Sequence, residues 1–243
     1  MGTATFMILG DRCTRACRFC ATQTGYPLPP NPNEPMKIAR SIKAMKLRHC
    51  VITSVDRDDL PDKGAAHWAR TIREVRLATP DVIIEILIPD YRGTNLNVVL
   101  DEQPDIVGHN LETVERLTPS VRSKATYRNS MGVLQEIARR RIITKTGIMV
   151  GLGEKQDEVI TLLHEAYNAG CRMITIGQYL QPSEKQLDVQ EYVHPDVFAL
   201  YKKEALRIGF DNAESGPLVR SSYMAEQSFI SMLIHKKKKA QVV

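Results

Sequence analysis

The sequence predicts an α/β protein whose parallel sheet forms a partial (β/α)6 barrel of the TIM-like kind. Three observations support this fold class. Short apolar segments rich in β-branched residues alternate with longer segments whose apolar residues have helical spacing. The apolar segments are nearly continuous, as in strands that are covered on both faces. No G-x-G-x-x-G pattern follows the first of them, which disfavours a dinucleotide-binding sheet.

Six strands and five helices are predicted in alternation, as in parallel βαβ units. The predicted strands are TFMIL at 5–9, CVITSV at 50–55, VIIEILI at 82–88, DIVG at 105–108, TKTGIMV at 144–150 and MITIG at 173–177. The predicted helices are at 35–47, 65–77, 130–140, 156–169 and 196–208. We expect residues 1–226 to form the barrel domain and residues 227–243 to form a C-terminal helix and a basic tail.

Composition argues against two classes of partner. The net charge is +5, but a nucleic-acid surface would need basic residues interleaved with aromatic ones on one face, and aromatic residues make up only 6% of the chain, so nucleic-acid binding is not expected. No apolar run is long enough to cross a bilayer, and the first residues lack the basic region and cleavage site of a signal peptide. We therefore expect a cytoplasmic protein without a membrane partner.

Three of the five cysteines, Cys13, Cys17 and Cys20, have the spacing C-x3-C-x2-C just after the first predicted strand. An odd number of cysteines without a secretory signal favours metal or redox chemistry over a disulfide framework. Cys50 and Cys171 lie at the starts of apolar segments, and we expect both to be buried as small hydrophobic side chains.

Two kinds of metal site are compatible with three clustered thiolates. Structural zinc takes four ligands, and His49 or His109 would have to supply the fourth, so a non-enzymatic zinc module remains an alternative. A [4Fe–4S] cluster normally takes four thiolates. Three cysteines would leave one iron open to a ligand that is not a protein side chain, which is the arrangement that a catalytic metal needs.

Polar loops follow all six predicted strands. Besides the cysteine cluster, they comprise residues 54–59, 89–93, 109–113, 151–154 and 178–183. Any single one of them could be an ordinary turn or helix cap. Because barrel enzymes place their chemistry in the loops after the strands, the coincidence of six polar loops favours an active site there.

The pattern C-x3-C-x2-C with Phe19 before the last cysteine resembles the signature of the radical S-adenosylmethionine (SAM) superfamily, which also has a partial-barrel fold. This resemblance implies that the amino and carboxylate groups of SAM bind the open iron of a [4Fe–4S] cluster. It further implies that an electron from the reduced cluster cleaves the sulfonium, and that the resulting 5′-deoxyadenosyl radical abstracts a hydrogen atom from carbon.

Within that superfamily the chain resembles the lipoyl synthase family from residue 2 to about residue 226. The segments that carry the resemblance are GTATFMILGD, CTRACRFC, ITSVDRDDLPD, TKTGIMVGLGE, TIGQYLQPS and SGPLVRSSY. The resemblance implies a sulfurtransferase that inserts two sulfur atoms, at C6 and C8, into an octanoyl group on a lysine of a carrier domain. Another radical SAM enzyme, which abstracts hydrogen without a sulfur-donor cluster, is the second alternative.

The resemblance also implies partners. The octanoylated carriers would be lipoyl domains of 2-oxoacid dehydrogenase E2 subunits or the glycine cleavage H protein. An electron donor such as flavodoxin or ferredoxin would reduce the cluster.

By resemblance, site residues can be assigned beyond the cluster ligands Cys13, Cys17 and Cys20. Phe19 would lie near the adenine, Ser54 and Asp56 would face the methionine amino group, Asn110 and Glu112 would lie near the ribose, and the loop from Gly151 to Glu154 would shape the adenine side. The competing interpretations are core packing for Phe19 and helix capping for Asn110 and Glu112. No further catalytic residue is assigned.

In the lipoyl synthase family a second [4Fe–4S] cluster supplies the sulfur. Its ligands are an N-terminal C-x4-C-x5-C motif and a serine of R-S-S-Y, for which we choose Ser221 over Ser222. The competing interpretation of Ser221 is a helix cap. The C-x4-C-x5-C motif is absent from these 243 residues. Truncation, a segment from another chain or an altered function would each explain this, and the retained R-S-S-Y favours truncation. If the chain is truncated, we expect these 243 residues to hold one cluster and to cleave SAM, but not to complete lipoylation.

Overall fold

The computed structural model describes residues 2–222, and every structural statement below concerns those residues. The strands are β1 Thr3–Ile8, β2 Arg12–Cys13, β3 Gln23–Thr24, β4 His49–Ser54, β5 Ile83–Leu87, β6 Ile106–Gly108, β7 Ile143–Val150, β8 Met173–Gln178 and β9 Asn212–Gly216. The helices are α1 Glu34–Ala44, α2 Ala65–Ala78, α3 Gly93–Leu100, α4 Thr118–Val121, α5 Tyr127–Arg139, α6 Gln156–Asn168 and α7 Pro195–Ile208, with a 3-10 turn at Glu115–Leu117 before α4.

Seven strands form one parallel sheet in the order β1-β4-β5-β6-β7-β8-β9, and β2 pairs with β3 in a separate short ladder. Parallel neighbours need crossover connections, and the helices between the strands provide them. In the described part of the chain β1 and β9 do not pair, so the sheet is an open crescent rather than a closed barrel. This arrangement confirms the predicted partial barrel.

Two large apolar clusters join the sheet to its helices. One contains Trp68 and Ile72 of α2 with Ile52 and Ile84 of the neighbouring strands. The other contains helical residues from α5, α6 and α7 packed on β7 and β8. Every residue of β8 is buried, which explains why its sequence is an almost unbroken apolar run.

The six predicted strands and five predicted helices all occur, with ends that differ by a few residues. Helix α5 begins at Tyr127 rather than at residue 130, because the Thr126 hydroxyl caps it by accepting the Asn129 N–H at 3.2 Å. Strand β9, N-A-E-S-G, was not predicted, so the sheet has seven strands rather than six. Its polar residues form a strand only because β8 offers a pairing edge.

Helices α3 and α4 were also missed, since each is too short to show helical periodicity. No helix in the described range 2–222 is long and apolar enough to cross a membrane. The terminal helix and basic tail expected at 227–243, and the expected domain boundary at residue 226, lie outside the described residues.

Candidate active site

A cleft opens at the edge of the sheet where its strands end, and it consists of two adjoining cavities. Their volumes are about 300 and 600 Å³. Phe19, Cys20, Asn110 and Glu112 line both cavities, so they form the boundary between the two. Five of the six predicted polar loops therefore contribute residues to the cleft, and only the loop at 151–154 does not.

The three clustered cysteines line the smaller cavity as half-buried free thiols. Backbone N–H groups point at two of the sulfurs: Arg15 donates to Cys13 Sγ and Thr22 donates to Cys20 Sγ, each at 3.4 Å. Such donors stabilise thiolates and tune iron–sulfur clusters. Free thiols around one cavity, with donors already directed at the sulfur atoms, fit a [4Fe–4S] cluster.

A single zinc ion fits less well. Within residues 2–222 no group of three or more His, Cys, Asp or Glu side chains is arranged to hold one metal ion. His109 has both ring nitrogens engaged at 2.9 Å, one with the Ile88 carbonyl and the other with the Ser130 hydroxyl. His49 lies inside the sheet, with Nε2 3.0 Å from Glu85. A cubane places its thiolates on different irons, so its ligands are not expected to surround a single point.

The other two cysteines are isolated from the cleft. Cys50 and Cys171 are fully buried in the two apolar clusters, as their strand-like sequence context predicted. Burial raises the pKa of each thiol to about 12, so both remain protonated and unreactive.

Ser54 and Asp56 stand at the end of β4 and line the smaller cavity. The Ser54 hydroxyl accepts the Trp68 indole N–H at 3.2 Å, which fixes its position. Asp56 Oδ1 is buried and has no hydrogen-bond partner in the described structure, although Arg15 Nη1 lies 3.4 Å away. Burial raises the pKa of Asp56 despite the nearby Arg15. An oxygen of this kind is suited to receive a cationic ligand group.

Asn110 and Glu112 follow β6, and neither caps a helix, so the capping interpretation does not hold in this structure. Glu112 adopts the left-handed backbone conformation, with φ +68°, between two hydrogen bonds to β7. Such a conformation in a non-glycine residue is typical of functional sites. Burial raises the pKa of Glu112, against the opposing effect of the Arg122 charge.

Gly147 on β7 leaves the space that Asn110 needs. A Cβ at this position would lie 2.9 Å from Asn110 Oδ1 and 2.8 Å from Thr175 Oγ1, which is closer than real Cβ contacts. Glycine is therefore required for the Asn110 side chain to keep its place in the wall of the cleft.

Phe19 satisfies both interpretations of its role. It packs in an apolar cluster with Val121, Leu152 and Tyr179, and it also lines both cavities. One face of the ring is therefore supported by the protein while the side chain still borders the cleft.

The loop after β7 lies behind the cleft. The Glu154 carboxylate accepts backbone N–H groups from Gly151 at 2.6 Å and Leu152 at 3.0 Å, closing a turn in which Gly151 has φ +96°. Neither Gly151 nor Glu154 lines the two cavities, whereas Met149 and Gln178 beside them do. Glu154 therefore holds a turn next to the cleft and is not itself part of the cleft wall.

Ser221 lies in the wall of the larger cavity beside Arg220. Ser222, the second choice, lines neither cavity, and Tyr223 of the same motif lies outside the described residues.

Comparison with known proteins identifies the family. Residues 7–166 match the sequence model of the Radical SAM superfamily. The chain is 53% identical over 232 residues to the lipoyl synthase of Treponema denticola, which covers 95% of this chain and 80% of that protein. It is 55% identical over 228 residues to the lipoyl synthase of Bacteroides fragilis strain YCH46, covering 93% of this chain and 79% of that protein. The chain belongs to the lipoyl synthase family.

Solved structures with the same fold are more distant. Methylornithine synthase superposes with a TM-score of 0.66 at 14% identity, over 86% of this chain and 62% of that chain. Streptococcus suis SuiB bound to S-adenosylmethionine superposes with a TM-score of 0.69 at 8% identity, over 90% of this chain and 51% of that chain. These similarities support the fold alone.

Membership of the lipoyl synthase family makes the chain a radical SAM enzyme whose cofactors are a [4Fe–4S] cluster and SAM. Sequence reasoning missed two cations in the wall of its smaller cavity, Arg15 and Arg122. Arg122 donates to the Asn110 carbonyl at 3.2 Å and to the Ser130 hydroxyl at 2.8 Å. It follows α4 rather than a strand, so its position in the sequence gave no signal that it lines the cleft.

Proposed function

We propose that this lipoyl synthase family member inserts two sulfur atoms, at C6 and C8, into an octanoyl group attached to a lysine of a carrier domain. The observation that supports this proposal is the shared cleft. Three free thiols at C-x3-C-x2-C spacing, the polar residues at the strand ends, and Ser221 all line two adjoining cavities. The carriers we propose are lipoyl domains of 2-oxoacid dehydrogenases and the glycine cleavage H protein.

In this proposal Cys13, Cys17 and Cys20 hold the [4Fe–4S] cluster. When bound with SAM, the cluster supplies the electron that cleaves the sulfonium and so makes a hydrogen-abstracting radical available. Electron transfer to it requires a reductant such as flavodoxin or ferredoxin. We expect both reactions to take place in the cytoplasm.

The side chains around the smaller cavity bind and orient SAM in this proposal. Asp56 Oδ1, which lacks a hydrogen-bond partner, accepts an N–H of the methionine amino group, with Ser54 beside it. Arg122, which lines the same cavity, offers its positive charge to the methionine carboxylate. Together these side chains orient the amino acid head group of SAM.

The residues at the boundary between the cavities receive the nucleoside. Asn110 and Glu112 offer oxygen and nitrogen atoms to the ribose hydroxyls, and Phe19 offers an aromatic ring to the adenine. The turn held by Glu154 supports the adenine side from behind. This placement would aim the reactive carbon of the nucleoside at the larger cavity.

The larger cavity is the proposed site of the octanoyl chain. Its walls include the apolar side chains of Ile148, Met149, Leu180 and Pro182. A cavity of about 600 Å³ has room for an eight-carbon chain, which would lie against these apolar side chains. Ser221 in the same wall is the proposed ligand of a sulfur-donor cluster, together with a C-x4-C-x5-C motif that these 243 residues do not contain.

The test uses the chain after anaerobic reconstitution with iron and sulfide, a chemical reductant, SAM and an octanoyl-lysine peptide. We expect 5′-deoxyadenosine to form, and to form faster with the octanoyl peptide than with the same peptide acetylated on lysine. Cys17→Ala is the control that should abolish it. Sulfur insertion adds mass to the peptide, and mass spectrometry detects it. Because these 243 residues lack the C-x4-C-x5-C motif, we expect added mass only when a segment with that motif is supplied, whereas an enzyme that only abstracts hydrogen would add none in either case. Absence of any response to the octanoyl group would reject the proposal.

A further inference from the structure

We propose that Arg15 is a positioning residue that holds the cysteine loop and Asp56 in one arrangement before any cofactor binds. The proposal builds on the assignment of Cys13, Cys17 and Cys20 to the cluster and of Asp56 to SAM. Arg15 lies between the first two of these cysteines in the sequence and is itself no metal ligand.

Arg15 joins three strand ends through three carboxylates. Its side chain, only 5% exposed, makes a two-pronged ion pair with Asp58, with Nε to Oδ2 at 2.8 Å and Nη2 to Oδ1 at 2.9 Å. The same guanidinium lies 2.7 Å from Asp90 and 3.4 Å from Asp56. Asp56 and Asp58 follow β4 and Asp90 follows β5, whereas Arg15 comes from the segment between the short strands β2 and β3, which follow β1.

Thr14, the residue before Arg15, is bound to the same segment after β4. The N–H and the hydroxyl of Thr14 both donate to the Asp56 carbonyl, at 3.1 and 2.9 Å. In return, the Asp58 N–H donates to the Thr14 hydroxyl at 3.0 Å. Thr14 therefore fixes where the cysteine loop runs, and Arg15 fixes the carboxylates around it.

A second arginine holds the start of the cysteine loop. Arg57, between Asp56 and Asp58, donates to the Leu9 carbonyl at 3.0 Å. Leu9 has φ +69° at the turn that leads from β1 toward the cysteines. The two ends of this turn are thus tied to one three-residue segment, Asp56 to Asp58, so protein contacts fix both ends of the cysteine loop.

Charge explains why the position needs arginine. Three carboxylates converge at Arg15, beside a site that must hold several thiolates. Without Arg15, the exposed Lys124 would only partly offset the repulsion between these carboxylates. A guanidinium has five donors in a planar fork and can serve three carboxylates at once, whereas a lysine ammonium acts as a single point charge. We therefore expect Arg15→Lys to restore little.

The contacts of Arg15 stabilise the candidate site and are not part of the sheet or of the apolar clusters. The pairing of β1 with β4 and of β4 with β5 involves none of its partners, and Arg15 is no part of the apolar clusters. Loss of Arg15 should consequently loosen the cysteine loop and displace Asp56 while the barrel stays folded.

The experiment compares Arg15→Gln and Arg15→Lys with Arg73→Gln, which removes the ion pair between Arg73 on α2 and Glu102 just after α3. Three quantities are measured: melting temperature of the apoprotein, the rate of iron loss from reconstituted protein to a chelator, and the dissociation constant for SAM. For both Arg15 variants we expect iron loss to be about tenfold faster and SAM binding about tenfold weaker, as for other residues that orient metal ligands. The control should match the wild type.

Wild-type rates of iron loss and wild-type SAM affinity in both Arg15 variants would overturn the proposal. So would a fall in apoprotein melting temperature large enough to account for the iron loss. If the Arg15 variants do not fold, Asp90→Asn is used instead, because it removes one partner of the guanidinium. This variant should show faster iron loss and weaker SAM binding, both smaller than for Arg15. Wild-type values for Asp90→Asn would also overturn the proposal. None of these readouts uses lipoyl formation, so failure of the octanoyl experiment would leave the result for Arg15 standing.

Discussion

Lys145 of β7 donates to the Glu85 carboxylate of β5 at 2.6 Å inside the barrel, where both side chains are nearly completely buried. His49 of β4 approaches the second carboxylate oxygen at 3.0 Å. Burial by itself would raise the pKa of Glu85, but the Lys145 charge and the two hydrogen bonds bring it below its ordinary value. The barrel therefore contains an ionised carboxylate on its inner face, and its stability depends on the partners of that group.

Replacing Lys145 with methionine should destabilise the apoprotein by about 3–5 kcal/mol, because the substitution leaves Glu85 buried without its counter-charge. Arg73→Met removes one partner of the ion pair with Glu102, and because Arg73 is exposed to solvent the free energy of unfolding should hardly change. Urea unfolding of the two variants and the wild type measures both values. Equal, small losses would contradict the expectation that Glu85 is ionised inside the barrel.

The stability contributed by Glu158 should depend on pH. Arg116 donates twice to this carboxylate, at 2.7 and 2.8 Å, and with the Lys155 N–H it lowers the pKa of Glu158 from 4.5 to about 2. Because the folded state binds this proton less readily than the unfolded state, the stabilisation is complete above about pH 4.5 and is lost as the pH falls toward 2. Glu158→Gln should therefore be less stable than the wild type at pH 7, and the difference should shrink by pH 3. Urea unfolding at both pH values measures it, and a difference that does not change with pH would refute the prediction.

Iron content should follow the three clustered cysteines alone. The reconstituted chain should contain about four iron atoms, the content of one [4Fe–4S] cluster. Cys17→Ala should lose most of this iron, whereas Cys171→Ala should keep it, since Cys171 is buried in an apolar cluster. Iron and acid-labile sulfide are measured per chain. About eight iron atoms would show that a second cluster finds ligands in these 243 residues.

Gly147→Ala should weaken SAM binding without unfolding the barrel. The added methyl group would collide with Asn110 and Thr175 and push the Asn110 amide out of the cleft wall. We expect the dissociation constant for SAM to rise about tenfold, which corresponds to about 1.4 kcal/mol. Gly216→Ala on β9 is the control, because its Cβ would approach only the flexible side chain of Val219, at 3.4 Å. Unchanged SAM affinity in Gly147→Ala would argue against the placement of Asn110 at the ribose.

The strands that could be predicted from the sequence are those whose own residues identify them, without reference to the strands they pair with. Strand β8 is buried throughout, so its apolar residues identify it at once. Strand β9 contains N-A-E-S-G and becomes a strand through its pairing with β8, which no local pattern reveals. Strand β9 was therefore not predicted because it depends on pairing with a distant part of the chain, and not because its sequence is unusual.

The same distinction applies to the site. The spacing of Cys13, Cys17 and Cys20 is local and could be recognised directly. Arg15 lies within that motif, but its partner Asp58 is 43 residues further along the chain, so its purpose becomes visible only in three dimensions. Glu154 shows the opposite case. Its motif pointed to the cleft, whereas its carboxylate holds the backbone of its own turn.

The crescent shape of the sheet has a consequence for how a bulky substrate could be loaded. A closed barrel can be entered only through its mouth, so a reactive arm would have to be threaded in end-on. In the described part of this chain the outer strands β1 and β9 do not pair with each other, and Met7 of β1 borders the smaller cavity while remaining 49% exposed. A lysine arm could therefore be laid in from the side and lifted out again, with the domain that carries it folded throughout.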